Sequence, residues 1–331
     1  MEHQESLLVT LAFGFVAAFA LGFVAARLRL PPLVGYLMAG ILIGPHTPGM
    51  TADTAMASQL AEVGVILLMF GVGLHFSTAD LMAVKWIAIP GAVVQIVVAT
   101  AMGTALAVSW GWPIAAGLVL GLALSVASTV VVLRALEAQG SVQSANGRIA
   151  IAWLVVEDLA MVLTLVLLPA LAGFAGAGDA HGAAAPTTGE VAVLMAITLA
   201  KIAIFLVVAV FAGPRVVPWL LQQAARTGSH ELFTLSVLAV SIGIAFGASA
   251  LFGVSFALGA FCAGVVLSNS ELSHRAADES LPLQHAFAVI FFVSVGMLFD
   301  PGILLRDPMA VIAVLAVILI GKSIGRWSSC R

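Results

Sequence analysis

Charge is what this sequence has least of. Only 9% of its 331 residues are Asp, Glu, Lys or Arg, against about 25% in soluble domains. With 62% hydrophobic residues and a mean hydropathy of +1.17, a soluble domain is excluded, and the chain reads as an all-α polytopic membrane protein. No basic run accompanies the net charge of −3, so no nucleic-acid surface is expected. Two cysteines, Cys262 in an apolar run and Cys330 at the tail, supply neither a disulfide framework nor a metal spacing. The opening residues, MEHQES, lack the basic region and cleavage site of a signal peptide, so the first apolar run is expected to stay as a span.

What the sequence does have is long apolar runs. Eleven are predicted as transmembrane helices, at roughly 6–26, 32–46, 60–76, 84–109, 112–135, 148–170, 189–212, 231–249, 252–268, 284–299 and 308–325. With the N-terminus outside, the inner connections hold Arg27, Arg29, Lys85, Arg134, Arg148, Arg215, Arg226 and Arg275, and the outer ones only Arg306. The positive-inside rule therefore puts the N-terminus outside. Residues 173–188, rich in Gly and Ala, are expected to form an external loop in which His181 is simply solvated.

One run, RIAIAWLVVEDLAMVLTLVLL over 148–168, is apolar but for Arg148 and the adjacent acids Glu157 and Asp158. At about 1.5 Å per residue Asp158 lies roughly 15 Å from Arg148, near the middle of a ~30 Å hydrocarbon core. A carboxylate there costs several kcal/mol, which makes it an ion or proton site by default. A structural acid pair tied to neighbouring helices is the alternative. Adjacent residues point about 100° apart on a helix, so the two acids need not share a role.

An internal repeat organises the chain. LVGYLMAGIL from Leu33 matches ALGAFCAGVV from Ala257, glycine for glycine at 35/259 and 40/264, and LAEVGVILLMFGVGLHFS from Leu60 matches LQHAFAVIFFVSVGMLFD from Leu283. The copies are shifted by seven helices, an odd number of crossings, so the second copy is inverted; inverted repeats around a midplane site are the architecture of secondary transporters. The predicted division is a first repeat over 1–188 with its external loop, a linker helix and cytoplasmic loop over 189–230, and an incomplete second repeat over 231–331. Counterparts of the fifth and sixth segments would fall near 336–394, past Arg331, so the sequence reads as one and a half repeats of a longer transporter.

Within the fifth segment, Ser125, Ser128 and Thr129 interrupt an apolar run. Such hydroxyls either re-satisfy backbone groups where a helix unwinds, with freed carbonyls available to a cation, or bond back to carbonyls one turn earlier. Lys322 lies about fourteen residues into the last segment, ~21 Å deep by helical rise and within about 6 Å of the depth of Asp158. It either pairs with Glu157 or Asp158 or snorkels to the interface. Glu62 reads as an acid at a helix start, Ser229 and Glu231 as a cap and first-turn acid, and Gln95 as a polar tie between helices.

PPLVGYLMAGILIGP, LAEVGVILLMFGVGLHFS, the acid pair in WLVVEDLAMV and FALGAFCAGVVLSNSELSHRA together resemble the second family of monovalent cation:proton antiporters, most of all its Kef-type potassium/proton branch, over residues 6–323. The resemblance implies an inverted-repeat cation:proton antiporter fold of thirteen helices, about eleven of them present here, with a homodimerising domain and a moving core domain. It places the essential aspartate on Asp158 with Glu157 before it, the broken-helix crossing at Ser128-Thr129, and the core-domain lysine on Lys322. It also aligns Ser270–Ser280, with Glu271, His274, Arg275, Asp278 and Glu279, to the regulatory cytoplasmic loop of Kef relatives. No cofactor is expected within this chain: the separate nucleotide-binding domain of those relatives is absent from it, and the substrates are K⁺ or Na⁺ and H⁺.

The expected chemistry is competition between a proton and a K⁺ or Na⁺ ion at one carboxylate, coupled by alternating access, with no enzymatic reaction. Glu157 is expected to pair with Lys322 and release it as the site fills. Three rivals stand beside it. A gated channel would need a filter-like ring of carbonyls or charges, which the sequence does not display. An intramembrane aspartyl protease would need a second midplane aspartate. The third rival is an inactive fragment of an antiporter.

Overall fold

A computed structural model describes residues 2–47, 54–74, 76, 78–174, 188–268 and 270–328. Most of the predicted external loop, His181 included, lies outside the described residues. Among them the chain is helical throughout: α1 (Glu2–Arg27), α2 (Pro32–Ile43), α3 (Thr54–Leu74), α4 (Thr78–Ser109), α5 (Ile114–Ser125), α6 (Thr129–Ala138), α7 (Ala145–Phe174), α8 (Thr188–Phe211), α9 (Gly213–Arg226), α10 (His230–Phe252), α11 (Phe256–Ser268), α12 (Ser273–Met297), α13 (Ile303–Arg306) and α14 (Pro308–Ser328). Five spans among the described residues are long and apolar enough to cross a bilayer: Ala55–Leu74, Met82–Ser109, Ile114–Ala138, His230–Phe252 and Ser273–Met297.

Local sequence chemistry sets the helix ends. Pro31 and Pro32 open α2 and Pro113 precedes α5, where a fixed φ and a missing N–H cost nothing. Ser229 caps α10 by accepting from the Leu232 N–H at 3.1 Å, with Glu231 in the first turn. Glu62 is not at a helix start: α3 begins at Thr54, which leaves Glu62 exposed in the helix interior. Residues 213–226, expected as cytoplasmic loop, form α9, bent by 51° from the preceding helix. It buries Val217, Leu221 and Ala224 along one stripe and turns Arg215 and Trp219 outward. Its polar half lowers the average apolarity of the stretch, which is why a search for apolar runs passes over it.

The inverted repeat is built into the packing. α3 and α12 cross at the centre, α2 lies on α12, and α11 lies on α3. At the α2–α12 crossing a methyl group on Gly40 would fall on the Val293 carbonyl and 2.8 Å from the Gly296 Cα. At the α3–α11 crossing a methyl on Gly264 would fall on the Phe70 carbonyl and 2.8 Å from the Gly73 Cα. The offsets that relate the repeats carry Gly40 to Gly264, Gly73 to Gly296 and Phe70 to Val293. The two crossings are therefore one contact made twice. At the centre, Gly64 meets the Phe287 carbonyl, its own repeat equivalent. Only backbone-to-backbone approach fits at these points, and glycine alone permits it.

A second group of helices packs beside the first: α4 against α5, α7 and α14. Val130 and Leu133 of α6 and Ile151 of α7 join the buried apolar cluster of α3, α10 and α11. Across this boundary the Arg134 guanidinium donates to the Gln284 carbonyl of α12 at 3.2 Å, while its other arm meets Glu137 at 2.9 Å.

Candidate functional site

The fifth predicted segment is two helices, not one. α5 ends at Ser125, residues 126–128 are non-helical, and α6 starts at Thr129, so the break falls where the hydroxyl cluster placed it. The three hydroxyls have separate jobs. Ser125 Oγ donates back to the Leu122 carbonyl at 2.7 Å, Ser128 Oγ caps α6 by accepting from the Val131 N–H at 3.4 Å, and Thr129 Oγ1 faces Asp158. The back-bonding reading thus holds for Ser125 and the helix-break reading for Ser128, while the Thr129 hydroxyl turns to a side chain instead.

The two acids of α7 diverge as their 100° spacing requires. Glu157 is 2% exposed, and its oxygens are taken by N–H donors: Oε2 accepts from the Ala127 backbone in the break at 3.0 Å, and Oε1 from Trp153 Nε1 at 3.0 Å. A carboxylate in this place also offsets the positive end of the α6 dipole. Asp158 points elsewhere. Its Oδ1 meets Thr129 Oγ1 at 3.5 Å, long for an O–H···O bond, and this is the one polar side-chain contact of Asp158 among the described residues. One acid is tied into the scaffold, and the other retains capacity for a further partner.

Two residues complete the arrangement. Gln95 of α4, 3% exposed, donates from Nε2 to the Ser125 carbonyl at 2.6 Å and accepts at Oε1 from Trp153 Nε1 at 2.9 Å. Gln95 is the tie between helices that its place in an apolar run suggested. Trp153 was not legible as a site residue, since an indole in a span looks like packing; its spacing of four from Glu157 was the available signal. Lys322 lies on α14, but its side chain is outside the described residues.

The segment aligned with a regulatory loop is mostly helix: from Ser273 onward it is the first turns of α12, docked on the start of α10. Glu279 accepts from Thr234 Oγ1 at 2.7 Å and meets His230 Nδ1 at 2.9 Å, and the Arg275 guanidinium stacks 4.0 Å over the Phe233 ring. Glu271, His274 and Asp278 are exposed. A cavity of about 840 Å³ opens nearby between α6 and the α2–α12 pair, lined by Pro31, Tyr36, Val131, Arg134, His285 and Phe292. Val131, on its wall, stands two residues after Thr129 on α6.

A broken span packed on a helix that carries an acid pair, one member buried and the other half-buried, in a scaffold of inverted repeats, defines a secondary-transporter fold of the cation:proton antiporter class. The chain belongs to the transmembrane sodium/hydrogen exchanger family, whose pattern residues 14–331 match. YbaL of Escherichia coli (strain K12), named for cation/proton antiport, is 60% identical over 331 residues, which are 100% of this chain and 58% of YbaL. The K(+) efflux antiporter 4 of Arabidopsis thaliana is 30% identical over 326 residues, 98% of this chain and 53% of that protein. The chain thus spans little more than half the length of either relative. Among solved structures, the sodium proton antiporter MjNhaP1 from Methanocaldococcus jannaschii superposes with a TM-score of 0.68 at 15% identity, covering 99% of this chain and 79% of that one. At that identity the likeness is one of fold.

Proposed function

We propose that the protein exchanges a monovalent cation for H⁺ across the bacterial inner membrane, with Asp158 as the group that proton and cation occupy in turn. The observation that carries this is the division of labour on α7: Glu157 is held by the break, while Asp158 keeps one long contact among the described residues. A carboxylate in apolar surroundings must be compensated by a proton or by a cation, and the two exclude each other there. Thr129, at the start of α6, offers a hydroxyl oxygen beside it. The cavity beside α6 would be the cytoplasmic approach, in keeping with Arg134 at its wall and an outer N-terminus. K⁺ is the favoured substrate over Na⁺, on the name of the plant relative.

The test is proton release from everted vesicles on addition of K⁺ or Na⁺. A response to K⁺ at lower concentration than to Na⁺ is expected; silence toward both cations would overturn the assignment for this 331-residue chain. Replacing Thr129 by Val keeps the shape and removes the oxygen. The half-saturating cation concentration is expected to rise roughly fivefold, about 1 kcal/mol, with the maximal rate little changed.

A further inference from the structure

A chain of hydrogen bonds runs from Gln95 on α4 through Trp153 and Glu157 on α7 to the break before α6. The break between α5 and α6 leaves backbone groups that no helix satisfies, and two of them are answered by side chains: the Ser125 carbonyl by Gln95 and the Ala127 N–H by Glu157. Trp153 joins these two answers. Its indole N–H lies 2.9 Å from Gln95 Oε1 and 3.0 Å from Glu157 Oε1, so one donor serves both acceptors. The consequence for Gln95 is directional. With its oxygen held by Trp153, its amide nitrogen must face Ser125; a flipped amide would set oxygen against carbonyl oxygen at one end and N–H against N–H at the other.

We propose that Gln95 and Trp153 are positioning residues for the exchange at Asp158, bracing the helix break through Glu157 so that Thr129 stays opposite the carboxylate. The inference rests on the exchange reading of Asp158 and deepens it. The brace links α4, the α5–α6 break and α7, three helices of one packing group, and Gln95, Ser125 and Glu157 are all at most 3% exposed. The Gln95–Ser125 bond is buried, where the loss of a hydrogen bond is felt most strongly. Neither Gln95 nor Trp153 touches Asp158, which separates their effect from that of a ligand. Outer partners of this kind typically alter affinity 10–100-fold when removed.

The variants are Trp153→Phe, which keeps an aromatic ring and deletes the N–H, and Gln95→Leu, which deletes the amide. Each is compared with the parent chain in two measurements. In everted vesicles each is expected to raise the half-saturating cation concentration about tenfold and to displace the pH profile of exchange, with maximal rate within about twofold. The double variant is expected to be no worse than the more damaged single one, because both cut the same brace. In detergent, amide hydrogen exchange over residues 126–132 is expected to quicken in both variants, with the amides of α10 and α11 unchanged. Gln95→Leu carries the test alone if Trp153→Phe does not yield folded protein. Affinity and pH profile equal to the parent in either folded variant overturn the proposal, and so do effects that add in the double variant. If the parent chain exchanges no cation, the functional reading fails, and the brace is judged on amide exchange alone: unaltered rates over 126–132 overturn it.

Discussion

Asp158→Asn is expected to reduce cation-driven proton release to the background of vesicles lacking the protein, for K⁺ and Na⁺ alike. Asparagine fills the same volume and can still accept from Thr129 Oγ1, so the fold and the α5–α6 break are expected to persist. What is lost is the charge that a proton and a cation compete to neutralise. The neighbouring Glu157→Gln variant sharpens the comparison. Glu157 meets the Ala127 N–H with one oxygen and the Trp153 N–H with the other, and a glutamine can satisfy only one of them, turning an NH₂ toward the second donor. Weaker cation affinity with exchange retained is expected for Glu157→Gln, against complete loss for Asp158→Asn. Equal loss in both would show that the pair acts as one site. A response from Asp158→Asn matching the parent would remove Asp158 from the mechanism.

The second large effect concerns the scaffold. Gly264→Ala and Gly40→Ala are each expected to lower stability by about 2 kcal/mol, read as a reduced melting temperature in detergent. The figure is the difference between overpacking at the top of its range, about 3 kcal/mol, and the roughly 1 kcal/mol that alanine gains over glycine inside a helix. Overpacking is placed at the top because the obstacle is backbone: the new methyl would meet the Phe70 carbonyl in one case and the Val293 carbonyl in the other, and neither can rotate away. Gly243→Ala and Gly247→Ala on α10 are the controls. A methyl there meets nothing within 4 Å, so only the helix-propensity gain remains and stability should hold or rise. Since the two crossings are repeat equivalents, the two damaging variants should also match each other. A Gly264 variant much milder than its Gly40 counterpart would mean the crossings differ in energy despite their common geometry.

Most of the scaffold was legible because a membrane leaves few choices. Apolar runs long enough to span must become helices, and a glycine pattern repeated at offsets of 224 and 223 marks two crossings with the same geometry. The break was half legible: the hydroxyls of Ser125, Ser128 and Thr129 left a break and back-bonding both open, and the family resemblance alone put the crossing at Ser128-Thr129. Three things were not. α9 is half polar and was hidden by averaging. The division between Glu157 and Asp158 depends on which helix each face of α7 meets, and that is a property of packing between segments, not of spacing within one. Trp153 was hidden for the same reason: in a run of Ile, Leu and Val it is one more large side chain, and only the approach of Gln95 from α4 gives its N–H a purpose.

The self-equivalent contact of Gly64 with Phe287 has a further consequence. It sits on the axis of what amounts to an isologous arrangement, in which equivalent positions of the two halves face each other, here a glycine and a phenylalanine. The halves, however, stand in opposite senses across the bilayer. The backbone geometry of the crossing is therefore alike seen from either side of the membrane, and glycine spacing alone does not encode orientation. By the positive-inside rule, that task is expected to fall to arginines near the helix ends and on α9, such as Arg27, Arg29, Arg215 and Arg226. Deleting those charges should leave helix packing intact while letting a population of molecules insert upside down.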